Sequence, residues 1–285
     1  VATRGAYNQL RYSIDLSYLE TDGIDVLKDD SQQNRDSDGY KNFSINTNFG
    51  YTFDNGVDVG LSFLESHSRI YLDGSSYPDR DSFSDSIIQN IGFSVSAPLR
   101  DWWLSKISMG RSMDDIDDTN GIDGSHISDF RTTKDQYSWQ NDIEIFNEQI
   151  ITFGVDLYDD ELVASTDYTD TQGVPARDRI NRAYFIQYQG NFSIFDYVLG
   201  YREDDNEENG KQNTSNISLG AQLGKSHRVI FSWGEAFKAP TYNDLYWPIG
   251  EYGAGNPDLL PEDSENFELG FRGDYTVWKW EASIY

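Results

Sequence analysis

The chain has 285 residues, a formal net charge of −27, a hydrophobic share of 37% and an aromatic share of 15%. That balance excludes an ordinary water-soluble core of this size and a nucleic-acid partner, and the aromatic content excludes disorder. With no Cys and only three His, disulfides and thiolate metal sites are ruled out and a histidine-built centre has little to draw on. No apolar run is long enough for a membrane-spanning helix and no secretion signal stands at the start, where Val1 replaces the usual Met and the chain reads as cut at both ends.

Taken in chain order, the dominant period is two. Tyr12, Ile14, Leu16 and Tyr18 alternate with Ser13, Asp15 and Ser17, which gives a strand one apolar and one polar face. Val57, Val59, Leu61 and Phe63 repeat the pattern, followed by Ile91, Phe93 and Val95, and by Ile151, Phe153, Val155 and Leu157. Later come Ile217, Leu219, Ala221 and Leu223; Val229, Phe231 and Trp233; Phe267, Leu269 and Phe271; and Trp278, Trp280, Ala282 and Ile284. About thirteen strands are expected, many longer than soluble sheets use, with no convincing amphipathic helix.

The connections are more specific. Tight hairpins are expected at Asp54-Asn55-Gly56, Asn147-Glu148-Gln149 and Gln189-Gly190-Asn191. Long acidic connections are expected at residues 20–40, 65–86, 111–136, 158–181, 202–213 and 235–264. Short and long connections alternate, which sorts tight turns to one rim of an up-and-down sheet and long loops to the other. Aromatics near strand ends (Tyr18, Tyr51, Phe53, Trp102, Trp103, Trp278) complete the pattern of an all-β, antiparallel, up-and-down transmembrane β-barrel with a wet lumen. A soluble sandwich or propeller fits less well, since no fixed-period repeat is present.

The run SWGEAFKAPTYNDLYWP, followed by GNPDLLPEDSENFELGFRG, resembles the motif of TonB-dependent outer-membrane receptors. It has an aromatic-x-Ala-Pro segment, a Leu-Tyr, an Asn-Pro turn and a Pro-Glu before a strand, in the family's order and spacing. The residues themselves account for the prolines: Pro240 ends a strand because it has no N–H to donate, and Asn256-Pro257 and Leu260-Pro261 hold the returning loop in extended and turn conformations. The resemblance implies a barrel of twenty-two strands filled by an N-terminal plug. Residues 1–285 then read as a partial barrel domain, an open sheet without the plug or the C-terminal strands.

Within the family the likeness is nearest to the cobalamin receptors, through TDGIDVLKDDSQQNRDSDGYKNF. That branch binds calcium through aspartates on two neighbouring outer loops. The resemblance carries this role to Asp25 in GIDV, to Asp36 and Asp38 in DSDG, and to Asp73 and Asp79 in the next loop. Independently, Asp-x-Asp-Gly is a common element of oxygen-ligand calcium sites, and a solvated acidic surface is the plainer reading of the same residues. Asp114, Asp115, Asp117, Asp118 and Asp123 read as solvated loop.

Arg69, Arg80, Arg131, Lys134, Arg177 and Arg179 are candidates for anionic lipid headgroups or an anionic ligand. Tyr242, Tyr246, Trp247 and Tyr252 are candidates for stacking on a planar ligand. His67, His126 and His227 are too far apart in sequence for a triad or a zinc site, and no phosphate loop or nucleophile elbow is present, so an enzyme is not expected. The resemblance implies active uptake of a scarce nutrient, cobalamin first and a ferric siderophore or haem as the rival. It places the complete receptor in the Gram-negative outer membrane as a monomer, with outer-membrane lipid and, through the plug, the TonB complex as partners; no cofactor is required, and calcium is an optional addition on the outer loops. A passive porin would share the strands without the motif, and an outer-membrane adhesin or enzyme stands further off.

Overall fold

A computed structural model describes residues 1–24, 37–73, 81–120, 124, 126–164, 177–246 and 254–285. Among these residues fourteen strands follow one another: β1 (Ala2–Tyr7), β2 (Leu10–Thr21), β3 (Tyr40–Thr52), β4 (Asp58–Asp73), β5 (Asp81–Arg100), β6 (Trp103–Asn120) and β7 (His126–Phe146) form the first half. The second half is β8 (Gln149–Ala164), β9 (Arg177–Phe192), β10 (Phe195–Asn206), β11 (Gly210–Leu223), β12 (His227–Lys238), β13 (Glu262–Asp274) and β14 (Lys279–Ile284). A short helix, α1 (Tyr242–Tyr246), lies between β12 and β13.

Each strand pairs antiparallel with the next in sequence order, in a single sheet whose edges are β1 and β14. The sheet is therefore open, as an incomplete barrel requires. Fourteen strands replace the expected thirteen or so.

Register separates the two faces. Tyr12, Phe49, Leu61, Phe93, Met109, Tyr137 and Leu157 stand opposite one another from β2 to β8. One step along lies a row of Ser13, Asn48, Ser62, Gly92, Gly110, Gln136 and Tyr158. Further on, Leu199, Ile217, Trp233 and Phe267 share the apolar face, and Gly200, Asn216, Gly234 and Asn266 share the polar one. Most of the apolar row is exposed, including Leu61, Phe93, Met109, Tyr137 and Phe267. Water would not tolerate an apolar surface this extensive, whereas lipid would.

At the tight-turn rim the two-residue connections place Asn8, Glu148 and Ser193 at positive φ, the backbone that short hairpins need. Aromatic pairs gather there: Tyr51 edge-on to Phe53 at 4.7 Å, Trp102 stacked on Trp103 at 6.0 Å and Tyr275 stacked on Trp278 at 4.5 Å. Such a belt suits a membrane interface.

The other rim departs from expectation. β5 has 20 residues and β7 has 21, although about 9–11 residues cross a membrane. Strand thus replaces most of the loops expected at 65–86, 111–136 and 202–213 and both ends of the one at 158–181, and β10 and β11 are joined by a short turn. The expected hairpin at Gln189-Gly190-Asn191 lies inside β9, and the chain turns at Ser193-Ile194 instead. The physical reason is visible in the register. Beyond the apolar band both faces become polar, so period two disappears from the sequence while charges meet across the ladder.

Glu20 faces Lys41, Arg69 faces Asp85, Arg111 faces Asp135 and Asp115 faces Arg131, each directly opposite in register. Their ion-pair distances are 2.9, 2.6, 2.5 and 2.5 Å. Each exposed pair contributes little alone, but opposite charges placed face to face favour this register over its neighbours.

Lipid contact over the apolar face predicts that Leu61→Arg destabilises the protein by about 2–4 kcal/mol when unfolding is measured in bilayers. Gln89→Arg, two steps up the same face and beside Glu65, is expected to cost within about 1 kcal/mol. Equal costs at the two positions would contradict this placement of the band.

Candidate functional site

The best-defined cluster on the polar face is built by the segment between β12 and β13. Pro240 lacks an amide hydrogen and follows the last residues of β12, so the ladder stops and the chain turns in over the sheet. Thr241 and Asp244 then cap α1 reciprocally. The Asp244 carboxylate accepts from the Thr241 amide at 2.9 Å and its hydroxyl at 2.7 Å, while the Asp244 amide donates to Thr241 Oγ1 at 3.2 Å. These bonds hold the Asp244 carboxyl below its ordinary range.

The turn of helix buries Leu245, Tyr242 and Tyr246 against Leu162 of β8, with Phe130 and Ala164 packed beside them. Leu245 is 1% exposed, whereas most large apolar residues of the sheet stand exposed on its other face. The Tyr242 hydroxyl donates to the Asp160 carbonyl at 2.9 Å, across 82 residues of sequence. Burial pushes the Tyr242 phenol up, so it stays a neutral donor. Tyr246 hydrogen-bonds Glu208 at the β10–β11 turn.

Arg179 of β9 ties the contact together. It donates to the Pro240 carbonyl at 3.0 Å, lies 4.9 Å over the Tyr242 ring, and pairs with Asp160 at 3.6 Å and Glu208 at 3.4 Å. The returning chain is held by the Asn256 amide on the Asp244 carbonyl at 2.8 Å. The Asp258 amide on Asn256 Oδ1 at 3.0 Å closes the Asn-Pro turn.

Further from the long-loop rim, the polar face carries a second network. Arg202 bonds Asp156 at 2.6 Å and Asp204 at 2.8 Å, Asn181 donates to Asp204 at 2.8 Å, and Ser138 donates to Asp156 at 2.7 Å. A wall of this kind holds polar or charged contents without leaving its own charges unpaired.

The residues that the sequence singles out meet different fates in the fold. Tyr242 and Tyr246 are buried in the docked turn, so they brace the loop instead of offering a stacking surface; Trp247 and Tyr252 lie outside the described residues. Arg69 and Arg131 pair with Asp85 and Asp115, and Lys134 and Arg179 pair with Asp160. Arg80 lies outside the described residues, and Arg177 is described only as the first residue of β9. Asp114, Asp115, Asp117 and Asp118 sit in β6, not in a loop, while Asp123 lies outside the described residues.

Of the five calcium candidates, Asp25, Asp36 and Asp79 lie outside the described residues. Asp38 stands just before β3, and Asp73 ends β4. The Tyr71 amide donates to the Gly39 carbonyl at 3.0 Å and the Asp38 amide to the Ile24 carbonyl at 3.2 Å, so the bases of the two loops lie side by side. Among the described residues no three His, Asp or Glu side chains converge as a metal site. The three histidines stay apart: His67 meets Glu65, His126 meets Asp129 and His227 meets Tyr275. Asp160, Leu162 and Glu208 are not marked by the sequence, because nothing local signals a contact made so far along the chain.

Comparison with known proteins bears on this arrangement. A family model described as "TonB dependent receptor-like, beta-barrel" matches residues 21–285. A protein of Photobacterium profundum named vitamin B12 transporter BtuB is 28% identical over 270 residues, covering 93% of this chain and 41% of its own length. Its namesake in Vibrio vulnificus is 27% identical over 260 residues, covering 88% of this chain and 40% of its own. The chain thus spans about two fifths of the length of these curated relatives. Among solved structures, the siderophore receptor PirA of Acinetobacter baumannii superposes with a TM-score of 0.81 at 15% identity, over 99% of this chain and 48% of that one. The ferric enterobactin receptor PfeA of Pseudomonas aeruginosa gives 0.77 at 14% identity, over 96% and 48%. At such identities the structures speak for the fold alone.

The docking of α1 predicts that Leu245→Ala, by a large-to-small change of about 2–5 kcal/mol, speeds hydrogen exchange at residues 241–246 while β8 and β9 keep their protection. Because the Asp244 carboxyl is depressed in the folded chain, its stabilisation of the turn is complete above the unfolded value of about 4. It is lost as pH falls through the lower folded value. Asp244→Asn should remove that acid-side rise in exchange, and an unchanged profile would contradict the cap.

Proposed function

The chain belongs to the TonB-dependent receptor β-barrel family, and from that premise we propose that it forms part of the barrel of a receptor for active nutrient uptake in a Gram-negative outer membrane, with cobalamin as the ligand. The observation that carries the choice of ligand is the match along most of the chain to two relatives named vitamin B12 transporters. The solved neighbours are titled as siderophore receptors, and their low identity gives the iron-chelate reading less support. The motif itself, present here as a turn docked on the polar wall, supports a receptor over a passive pore, which would share the strands without it. TonB acting through a plug domain, and a monomeric complete barrel, belong to the same proposal. No catalytic role is assigned.

Calcium on the outer loops is part of the reading. Asp25, Asp36, Asp38, Asp73 and Asp79 would supply an all-oxygen donor set of the kind that suits this ion, and the adjacent loop bases carrying Asp38 and Asp73 fit a shared site. Bound there, calcium would neutralise carboxylates and join the two loops.

The test is cobalamin binding by the complete receptor in outer-membrane vesicles, measured by calorimetry with and without a calcium chelator. Saturable binding that weakens on chelation, and in Asp36→Asn and Asp38→Asn, is expected. Binding of a ferric siderophore with none of cobalamin would transfer the assignment to the rival reading. Cobalamin binding indifferent to chelation would remove calcium alone.

A further inference from the structure

The apolar face carries a groove whose upper end is marked by an uncommitted cation. A cavity of about 450 Å³ lies on the sheet between β6 and β9, lined on the apolar face by Ile107, Met109, Tyr137, Trp139 and Tyr184, with Val155 and Leu157 at its floor. All but Val155 and Leu157, at 37% each, are more than two fifths exposed. The indole of Trp139 is fixed by its Nε1 donating to Ser105 Oγ at 3.0 Å, so the groove has one rigid wall. Arg182 also borders the cavity and stands opposite Leu157 in the register. The row Met109, Tyr137 and Leu157 therefore ends in a guanidinium where the apolar band gives way to charge.

The other arginines described on this face, Arg69, Arg111 and Arg131, each meet an aspartate directly across the ladder. Arg182 is the exception, with no hydrogen bond, ion pair or ring contact among the described residues. Its partner on β10 is Asp205, but no ion pair forms between them. Glu203, one step away on that face, is taken by Lys211 at 2.7 Å. The planar donor fork of Arg182 matches a phosphate, and an apolar trough directly beside it matches an acyl chain.

We propose that the groove and Arg182 hold one phosphate-bearing membrane lipid, with an acyl chain lying along Met109, Tyr137, Trp139 and Tyr184 and the headgroup phosphate on the Arg182 guanidinium. The inference rests on the membrane reading above. It adds a lateral lipid site, on the opposite face from the docked loop, that the transport assignment does not require. Asp205 makes the proposal sharper, because a carboxylate beside the guanidinium opposes an anionic headgroup and its removal should strengthen binding.

The test is native mass spectrometry of the complete protein released from phosphatidylcholine nanodiscs doped with phosphatidylglycerol or, separately, with diacylglycerol. The wild type is expected to retain phosphatidylglycerol and not diacylglycerol. Arg182→Gln should lower retention about fivefold, as expected for one cation at an anionic surface. Asp205→Asn should raise it, and Arg131→Gln, which alters an arginine already paired, should leave it unchanged. Equal retention by Arg182→Gln, an equal loss in Arg131→Gln, or equal retention of diacylglycerol would each overturn the proposal while leaving the membrane reading in place. Failure of the protein to enter nanodiscs would overturn both.

Discussion

Every backbone N–H and C=O that crosses a lipid layer must find its partner within the protein, because lipid offers none. The rest of this structure depends on that constraint. It explains why consecutive strands pair without interruption from β1 to β14, why the apolar residues stand outside and exposed, and why the only compact apolar cluster among the described residues is a small one around Leu245. Ordinary proteins fold around a core; this sheet folds between two solvents. Its side chains are sorted by which solvent they meet.

The same constraint fixes what can be read from the amino acids alone. Where one face meets lipid and the other meets water, alternation such as Phe93, Val95 and their polar neighbours is plain, and the strands, the tight-turn rim and the open sheet are all legible. Past the lipid the alternation ends but the strands do not. Asp115 and Arg131 read as loop residues because each is polar among polar neighbours, and only the register reveals that they face each other as strand partners. The hairpin expected at Gly190 is absent for a related reason: a glycine within β9 resembles a turn signal until its pairing with Gln149 and Tyr197 is known. The extra strand, β1, has only six residues and little apolar pattern.

The candidate site is legible as a motif but not as a contact. The prolines announce a turn, as local chemistry should, while the Thr241–Asp244 cap on the short helix appears only in the fold. That the turn comes back onto β8 and β9 depends on Asp160, Leu162 and Arg179, which are far along the chain and unremarkable in composition. Tyr242 and Tyr246 resemble ligand-stacking residues, yet their rings fill the docked turn and their hydroxyls reach Asp160 and Glu208. The motif is thereby a brace that sets a loop against the polar wall of the sheet. Arginine follows the same logic on the opposite face. Among the described residues three outward guanidiniums are satisfied by aspartates, which makes the unsatisfied Arg182 informative.

The most direct measurement is a spin-label scan of the complete protein in bilayers along Ser82–Leu99, reading label mobility together with access to lipid-soluble and water-soluble quenchers. The account predicts period-two access to the lipid-soluble quencher through Ile91, Phe93 and Val95. From Ser82 to Ile88 both faces should meet the water-soluble quencher while mobility stays strand-like. Loop-like mobility across Ser82–Ile88, or lipid access at Gly92 and Ser94, would contradict it.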